Sequence, residues 1–250
     1  MLLPPPSSRR AMLILSEHDI ERCEIEGETK ILYDDEVYVL QLPIHDTAEL
    51  PLAIQNIIDS NLDRTGTILV QNPYNTESYD TYEDAAATFP LHKYMLFSHF
   101  CQALGATEVK IEQIDISSEK GSAKYSLQGE RFGAKGDISV NQDHFEKIRS
   151  GLMLNDTFKG GNPDFLTADK VLRKAKLLAD PNMRTLLEAR KINSNPILGR
   201  TLTVDLTKET KNNLAIAASI GIPKIIKMKA DYKKSIDEIN EYKLTVRVTF

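Results

Sequence analysis

The sequence predicts an α+β fold in which a mainly antiparallel sheet packs against helices, and three observations support this prediction. Apolar and polar residues alternate through much of 108–141 and again through 242–250, as in strands with one face in water. Residues 91–104 are apolar on nearly every side, which predicts a buried central helix. Strands and helices come in separate runs, and this order favours α+β over a doubly wound α/β sheet.

The first predicted elements of the chain are short strands. We expect residues 1–10 to form a flexible lead-in, because consecutive prolines favour extended backbone without ladder hydrogen bonds. Runs rich in β-branched and aromatic residues then predict strands at Met12–Leu15, Lys30–Tyr33 and Val37–Leu42. The last two are expected to form a hairpin whose turn carries Asp34 and Asp35, since acidic residues suit a chain reversal.

A helix and a buried strand are predicted next. Leu50, Ile54 and Ile57 follow helical spacing, which predicts an amphipathic helix over residues 50–61. The short apolar run Thr67–Gln71 predicts a buried strand.

Residues 72–88 are polar and carry three tyrosines. We expect a long surface loop here, and loops of this length often carry binding residues. The tyrosines of the loop are therefore candidates for contact with a partner: Tyr74, Tyr79 and Tyr82.

The alternating segment after the central helix changes phase once. Val109 and Ile111 share one phase, whereas Ile114 and Ile116 share the other. An extra residue must intervene if all four side chains are to face the core. We therefore expect a β-bulge near Glu112–Gln113.

Helices predominate in the second half of the chain, and strands end it. Cap and proline signals predict helices over residues 165–178, from Asp180–Pro181 to about Arg190, and over residues 208–219. Alternation or apolar runs predict strands over residues 201–206, 228–232 and 242–250. The last strand is expected to be paired, because an unpaired apolar edge strand invites aggregation.

Charge is unevenly distributed along the chain, although the formal net charge is only −5. Residues 1–163 carry 14 basic and 26 acidic side chains, whereas residues 164–250 carry 17 and 10. This asymmetry indicates either that the basic half meets a polyanion or that the two halves attract each other. We expect a single α+β domain over residues 1–250, and the alternative is a boundary near residues 155–163, where the charge changes sign.

The composition is that of an ordinary globular protein, with 41% hydrophobic and 27% charged residues. No apolar run reaches 18 residues, so the sequence predicts no transmembrane helix. Cys23 and Cys101 are too few for a disulfide framework or a four-thiolate zinc site. The prolines near the start interrupt the apolar core that a signal peptide needs. We therefore expect a cytoplasmic protein.

Common catalytic motifs are absent from the sequence, including the phosphate loop, the dinucleotide fingerprint, the nucleophile elbow and H-E-x-x-H. His92 and His99 lie about 10 Å apart along the predicted central helix, too far for the two to chelate one ion. Cys101 lies near the end of that helix, where the helix dipole disfavours a thiolate. We therefore assign no catalytic, cofactor-binding or metal-binding residue, and the sequence favours a protein that is not an enzyme.

A divalent-metal hydrolase is nevertheless left open as an alternative. Asp34 and Asp35 form a carboxylate cluster, and Glu108 and Lys110 form an E-x-K pattern on a predicted strand. Carboxylates that bind a divalent cation, with a basic residue beside them, are the groups that such enzymes use.

Two segments of the chain have similar sequences. Phe132–Ile138 and Ile226–Tyr232 both alternate small or apolar residues with charged ones, and both centre on Lys-(Gly/Ala)-Asp. In this pattern they resemble the insertion strands of gasdermin-type pore formers, which extend from a soluble fold and line a pore. The resemblance implies a membrane-active protein with two inserting hairpins, drawn to anionic lipid by the basic second half. The N-terminal cysteine that bacterial gasdermins acylate has no counterpart in this sequence.

The function that we predict from the sequence is that of a non-enzymatic, cytoplasmic interaction or regulatory module, acting as a subunit of a larger assembly or by self-association. Its candidate contact residues are Tyr74, Tyr79, Tyr82, Lys135, Lys227 and Lys229. A pore-forming effector acting on an anionic membrane is the first alternative, and the metal-dependent hydrolase is the second. Nucleic acid is not an expected partner, because the basic half has few aromatic residues on which bases could stack.

Overall fold

The structure is a computed structural model that describes residues 2–44, 49–118, 120–136, 142–152, 156–192, 194–220 and 241–250. It divides into two compact units, which are described separately below. Unit 1 contains residues 1–86 and 209–237, and unit 2 contains residues 87–208 and 238–250.

The described residues form helices and two mostly antiparallel sheets, so the predicted α+β class is confirmed. The helices are α1 (Glu17–Ile25), α2 (Leu52–Asp59), α3 (Tyr82–Ala103), α4 (Gln142–Leu152), α5 (Phe165–Lys174), α6 (Pro181–Arg190) and α7 (Lys208–Ser219). The strands are β1 (Ala11–Ser16), β2 (Val37–Leu42), β3 (Ile68–Asn72), β4 (Asn75–Thr81), β5 (Glu108–Ser118), β6 (Gly121–Tyr125), β7 (Arg131–Gly136), β8 (Asp156–Thr157), β9 (Gly199–Asp205) and β10 (Glu241–Thr249).

Unit 1 is built on a four-stranded sheet in the order β2-β1-β3-β4. Strand β1 lies parallel to β2 and antiparallel to β3, and its first five residues are completely buried. Helix α2 supplies Ile54 and Ile57 to the core cluster on this sheet. The strand predicted at Met12–Leu15, the strand Thr67–Gln71 and the helix over 50–61 are therefore all present, with bounds shifted by a few residues.

The hairpin predicted from Lys30–Tyr33 and Val37–Leu42 is wrong. Lys30–Tyr33 forms a short 3₁₀ helix, and Val37–Leu42 is β2, which pairs with β1 in parallel. Two parallel strands need a crossover between them, whereas a tight turn joins only antiparallel strands. Helix α1 provides this crossover, and it begins at a capping box in which Ser16 and Asp19 accept each other's backbone N–H groups.

The surface loop predicted over residues 72–88 is also wrong, because this segment contains β4 and the start of α3. The amide of Asp84 donates to Thr81 Oγ1 over 3.2 Å, and the Thr81 hydroxyl donates to Asp84 Oδ2 over 3.0 Å. Thr81 therefore satisfies a free amide at the start of α3. The predicted central helix near 91–104 is confirmed, and it begins nine residues earlier than predicted; Phe89, Phe97 and Phe100 are completely buried on it.

Unit 2 is built on an antiparallel sheet in the order β7-β6-β5-β10-β9, with the two-residue strand β8 also paired to β5. In the ladder between β5 and β10, Val246 lies opposite Ile111 and Thr245 lies opposite Gln113. Glu112 is the extra residue, so the predicted bulge is confirmed. It brings Ile111 and Ile114 onto the buried face.

The later elements follow the prediction closely. Helices α5, α6 and α7 begin where the sequence places them, and Asp180 caps α6 through the amides of Asn182 and Met183. The final predicted strand is β10, which is paired on both sides. The predicted strand over residues 228–232 lies outside the described residues.

The segment that we considered as an alternative domain boundary, residues 155–163, lies inside unit 2. Its described part pairs with β5 through β8 and then passes close to Gly105, where an added Cβ would lie 2.2 Å from the Gly161 carbonyl oxygen. Among the helices of the described residues, none has the length and apolar character needed to cross a membrane.

Candidate functional site

The three candidate tyrosines are buried in unit 1, with 4%, 4% and 2% of Tyr74, Tyr79 and Tyr82 exposed. The Tyr74 hydroxyl donates to Glu209 Oε2 over 3.2 Å, and the Tyr79 hydroxyl donates to the Arg9 carbonyl over 2.9 Å. We expected these tyrosines to contact a partner because we expected them to be exposed, and the structure shows instead that they are buried. These side chains hold the fold of unit 1 together.

Arg9 is the centre of a buried polar network in unit 1. Its guanidinium donates to the Thr76 carbonyl and to the Tyr79 hydroxyl, each over 3.0 Å, and to Glu77 Oε1 over 2.7 Å. Burial lowers the pKa of Arg9, but Tyr79 and Glu77 outweigh burial and raise the pKa overall. The network ties Arg9, which lies in the segment that we expected to be a flexible lead-in, to β4.

Three polar groups meet under α3 in unit 2. The hydroxyls of Tyr94 and Ser98 both donate to Asp156 Oδ2, the former over 3.1 Å. Burial, followed by the charge of Asp156, raises the pKa of both Tyr94 and Cys101. A thiol with a raised pKa stays protonated at neutral pH and is a poor nucleophile. The contacts of Asp156 fasten β8 to α3, and this cluster is therefore structural.

The residues considered for metal chemistry do not form a site in the described part of the chain. No group of three His, Cys, Asp or Glu side chains there could hold a metal ion. Asp34 lies in an exposed connection, where it accepts a hydrogen bond from the amide of Glu36 over 2.9 Å. On α3, His99 is exposed whereas Cys101 is completely buried. Among the described residues there is therefore no set of metal ligands that would support the metal-dependent hydrolase.

The β6–β7 hairpin (residues 120–136) has the most unusual surface in unit 2. Strand β7 is the outermost of the described strands on its side of the sheet, and five of its six residues are exposed. Lys124 lies opposite Gly133, and Tyr125 lies opposite Arg131, so Phe132 is the extra residue of a β-bulge. A bulge at a sheet edge redirects side chains. Phe132 is 58% exposed, which is unusual for a large aromatic side chain.

The hairpin that carries Phe132 is rich in cations. The exposed basic residues are Lys120, Lys124, Arg131 and Lys135, and Glu130 is the one acidic residue in the segment. None of the four cations forms an ion pair with any residue that the structure describes. Lys135 was a candidate from the sequence; Lys227 and Lys229 lie outside the described residues.

Helix α4 supports the hairpin from one side. The rings of Tyr125 and Phe145 lie 4.5 Å apart, and Arg149 donates to the Leu127 carbonyl in the hairpin turn over 3.4 Å. The same guanidinium pairs with Glu146 on α4. These contacts fix the turn end of the hairpin and leave Phe132 exposed.

Comparison with known proteins gives no relative for this chain, because no family model, curated protein or solved structure matches it. The geometry of the hairpin and the charges that it carries are therefore the features of this chain that bear on function.

Proposed function

We propose that this chain is a non-enzymatic interaction module that associates with further copies of itself through the β6–β7 hairpin. The observation that supports the proposal is Phe132, an exposed aromatic side chain on a bulge of a hairpin whose four exposed cations form no ion pair with any described residue. Aromatic and arginine side chains provide most of the binding energy at many protein interfaces. Both cysteines are free and buried in the described structure, which agrees with a protein of the reducing cytoplasm.

The bulge at Phe132 favours a partner that contacts the side chains of the hairpin over a partner that adds a new strand to β7. A bulge and lysine side chains on an edge strand hinder the pairing of another strand. A partner that accepts the hairpin must instead offer an apolar contact for the phenyl ring and carboxylates for the cations of the hairpin.

Helix α1 of unit 1 offers that combination, so a second copy of the chain is the partner that we infer. Glu17, Glu21 and Glu24 are exposed at helical spacing on one side of α1, and Ile25 beside them is 84% exposed. None of these three carboxylates forms an ion pair in the described structure. Like charges three and four residues apart destabilise a helix, and a cationic partner removes that cost.

Binding of the hairpin of one copy to α1 of the next is a heterologous contact. The resulting dimer keeps one free hairpin and one free α1, so assembly continues until a ring closes or a filament grows. Attraction between exposed charges is screened by salt, and assembly should therefore weaken as ionic strength rises.

Sedimentation velocity at low and high salt tests the proposal. The wild-type protein should form species larger than a monomer at low salt, and Phe132→Ser should shift it to monomer. Leu166→Ser is the matched control, because Leu166 is also an exposed apolar side chain (76% exposed) but lies on α5. The double variant Lys124→Glu/Lys135→Glu should also be monomeric, whereas Lys170→Glu/Lys174→Glu on α5 should assemble as wild type does.

A charge-exchange experiment identifies the partner surface. The hairpin variant Lys124→Glu/Lys135→Glu and the α1 variant Glu17→Lys/Glu21→Lys should each be monomeric alone. Mixed, they should associate, because the wild-type hairpin of the α1 variant binds the wild-type α1 of the hairpin variant and the two reversed surfaces are also of opposite charge. A monomeric wild-type protein at low salt, or assembly that survives both double variants, contradicts the proposal.

A membrane-binding function is the second candidate, and the same hairpin favours it. Aromatic side chains reside at the headgroup level of bilayers, and each basic residue near an anionic surface contributes about 1 kcal/mol. Co-sedimentation with vesicles of phosphatidylserine and phosphatidylcholine separates the two functions. Binding that Phe132→Ser abolishes, by a protein that stays monomeric without vesicles, supports the membrane and contradicts self-association.

A further inference from the structure

We infer a binding site in unit 1 for a small primary amine with an apolar body, independent of the hairpin. A surface depression of about 460 Å³ lies at the ends of β1 and β2, lined by Ser16, Leu42, Pro43, Ile44, Ile58 and Asp63. Its volume is within the range of roughly 300–1,000 Å³ that is typical of small-ligand pockets. Strands β1 and β2 are parallel, so their carboxyl ends lie at the same edge of the sheet, where ligands of sheets with parallel strands commonly bind.

The register of the sheet places the lining side chains of both strands on one face. Ser16 lies directly opposite Leu42, and every second residue of a strand shares its face. Other residues of this face pack into one core cluster with Ile54 and Ile57 of α2: Met12, Ile14 and Leu40. Leu42 and Ile58, the latter in the last turn of α2, are only partly buried beside this cluster. An apolar ligand body in the depression would therefore extend the core of unit 1.

The polar side chains that line the depression offer acceptors and no free donor. The hydroxyl of Ser16 donates to Asp19 Oδ2 over 2.5 Å, so its oxygen can offer a ligand only a lone pair. Asp63 supplies a carboxylate that forms no hydrogen bond or ion pair with any residue in the described ranges. Pro43 has no backbone N–H. A ligand that makes polar contacts with these side chains must therefore be a donor.

The charges around the depression favour a cationic donor. No basic side chain of the described residues lines it, whereas Asp63 does, and the carboxylate of Asp19 is bonded to Ser16. Ile58 lies in the last turn of α2, where the helix dipole is negative. The positive end of α1 begins after Ser16, but Glu17 and Asp19 in its first turn already supply the negative charge that this end favours. The ligand class that we infer is therefore an ammonium group on an aromatic or aliphatic body, with the ammonium group at Asp63 and Ser16.

Phenethylamine, phenethyl alcohol and phenylpropionate test which charge the site selects, because each has a phenyl ring on a short chain and they differ in the polar end. Saturation-transfer NMR titrations at constant ionic strength compare their affinities. The amine should bind about ten-fold more tightly than the alcohol, since a charge-assisted hydrogen bond is stronger than a neutral one, and phenylpropionate should not bind. Asp63→Asn should remove the preference for the amine over the alcohol. The matched control Asp59→Asn neutralises an exposed carboxylate at the end of α2, outside the lining, and should keep this preference.

Two tryptophan variants test where the apolar body binds. Ile58→Trp fills the depression and should block binding of both the amine and the alcohol. Leu52→Trp is the matched control, because Leu52 is an exposed apolar residue (58% exposed) at the other end of α2, outside the lining, and it should bind as wild type does. Circular dichroism checks that each variant is folded. If Ile58→Trp does not fold, Asp63→Asn still tests the site, because the Asp63 side chain has no bond to a described residue to lose.

Several outcomes would overturn the site. Equal affinity of the wild-type protein for the amine and the alcohol contradicts it, and so does a preference for the amine that survives Asp63→Asn. The absence of saturation transfer to phenethylamine at millimolar concentration has the same meaning. Loss of the preference in Asp59→Asn as well would show a general attraction of cations to an acidic surface. Phe132→Ser should bind the amine as wild type does, so failure of the hairpin proposal leaves this test intact.

Discussion

Lys93 Nζ lies 3.4 Å from Asp180 Oδ2 in unit 2, with 0% and 8% of the two side chains exposed. The carboxylate of Asp180 also accepts from the amides of Asn182 and Met183 at the start of α6. One aspartate therefore neutralises a cation buried on α3 and caps a second helix. The two members of this pair are not equivalent, because only Asp180 has the second role.

This asymmetry predicts different costs for the two side chains. Asp180→Ala leaves the ammonium group of Lys93 buried without its carboxylate and removes the cap, and it should reduce the free energy of unfolding by about 3–5 kcal/mol. Lys93→Met replaces the ammonium group by an apolar side chain of similar volume, and Asp180 keeps its two amide bonds. Lys93→Met should therefore cost less than Asp180→Ala, about 2–3 kcal/mol, because the buried carboxylate of Asp180 loses its cation but keeps its amide donors.

Urea denaturation of the two variants measures this difference, and Asp180→Asn serves as the control. Asparagine caps a helix about as well as aspartate but carries no charge. The stability lost in Asp180→Asn therefore measures the contribution of the ion pair alone. An equal loss of stability in Lys93→Met and Asp180→Ala would show that the cap contributes little.

The sequence pattern located those elements whose signal is local. Asp180–Pro181 marks the start of α6 by cap and proline chemistry, and the change of phase between Ile111 and Ile114 marks the bulge in β5. Both signals depend on near neighbours in the chain and on the burial of one face. For this reason they are visible without knowledge of the tertiary structure.

The errors occurred where distant residues determine the structure. Strand β4 (Asn75–Thr81) has almost no apolar alternation, and Tyr79 within it is bonded to Arg9, seventy residues away. The parallel pairing of β1 with β2 is likewise a property of the whole sheet, and the short-range pattern around Asp34 resembled a hairpin. Buried polar networks of this kind give a strand the composition of a loop.

The candidate site was only partly accessible to sequence reasoning. Alternation around Lys135 identified the segment, but the exposure of Phe132 follows from a bulge that is defined by the pairing of β7 with β6. That bulge has no signature along the chain.

The bulge in β5 predicts a difference between deletion and substitution of Glu112. Deletion shifts one arm of β5 by one residue, which turns either Val109 and Ile111 or Ile114 and Ile116 toward solvent. Loss of two buried aliphatic side chains costs about 3–6 kcal/mol, so the deletion variant should be unfolded or close to it. Glu112→Ala should change stability by less than about 0.5 kcal/mol, because the side chain is exposed.

Circular dichroism and thermal melting of the two Glu112 variants check this prediction. Deletion of Gln128 is the control, because Gln128 is an exposed residue in the turn between β6 and β7, where a change of length is better tolerated. A deletion of Glu112 that leaves the melting temperature unchanged would mean that the register of β5 is not determined by its buried face.

Replacement of Gly105 by alanine should destabilise the protein more than the same replacement of Gly27. Both glycines have positive φ, +81° and +71°, in the region that other residues adopt at a cost. A Cβ at Gly105 would also lie 2.2 Å from the Gly161 carbonyl oxygen, whereas a Cβ at Gly27 would meet nothing within 4 Å. Gly27→Ala should cost about 1 kcal/mol, and Gly105→Ala should cost at least about 2 kcal/mol more. Equal melting temperatures of the two variants would contradict the close approach of the two chain segments.

The buried thiol of Cys101 predicts a loss of stability at alkaline pH. Burial, followed by the charge of Asp156, raises the pKa of Cys101 well above its usual value. When the pKa is higher in the folded state, the stabilising contribution is complete below the pKa of the unfolded thiol, near 8.5, and is lost as pH rises toward the folded pKa. Stability should therefore fall between about pH 8.5 and 10, with a slope of up to about 1.4 kcal/mol per pH unit for each such thiol.

The measurement is the free energy of unfolding from urea titrations over this pH range. Cys101→Ala should flatten the slope, whatever its effect on absolute stability at pH 7. Cys23 contributes in the same direction, because burial and then the charges of Glu28 and Asp19 raise its pKa, so Cys23→Ala/Cys101→Ala should be flatter still. Iodoacetamide should modify both thiols only after unfolding. Rapid alkylation of the native protein at pH 8, together with an unchanged slope in the double variant, would show that neither thiol is protected in solution.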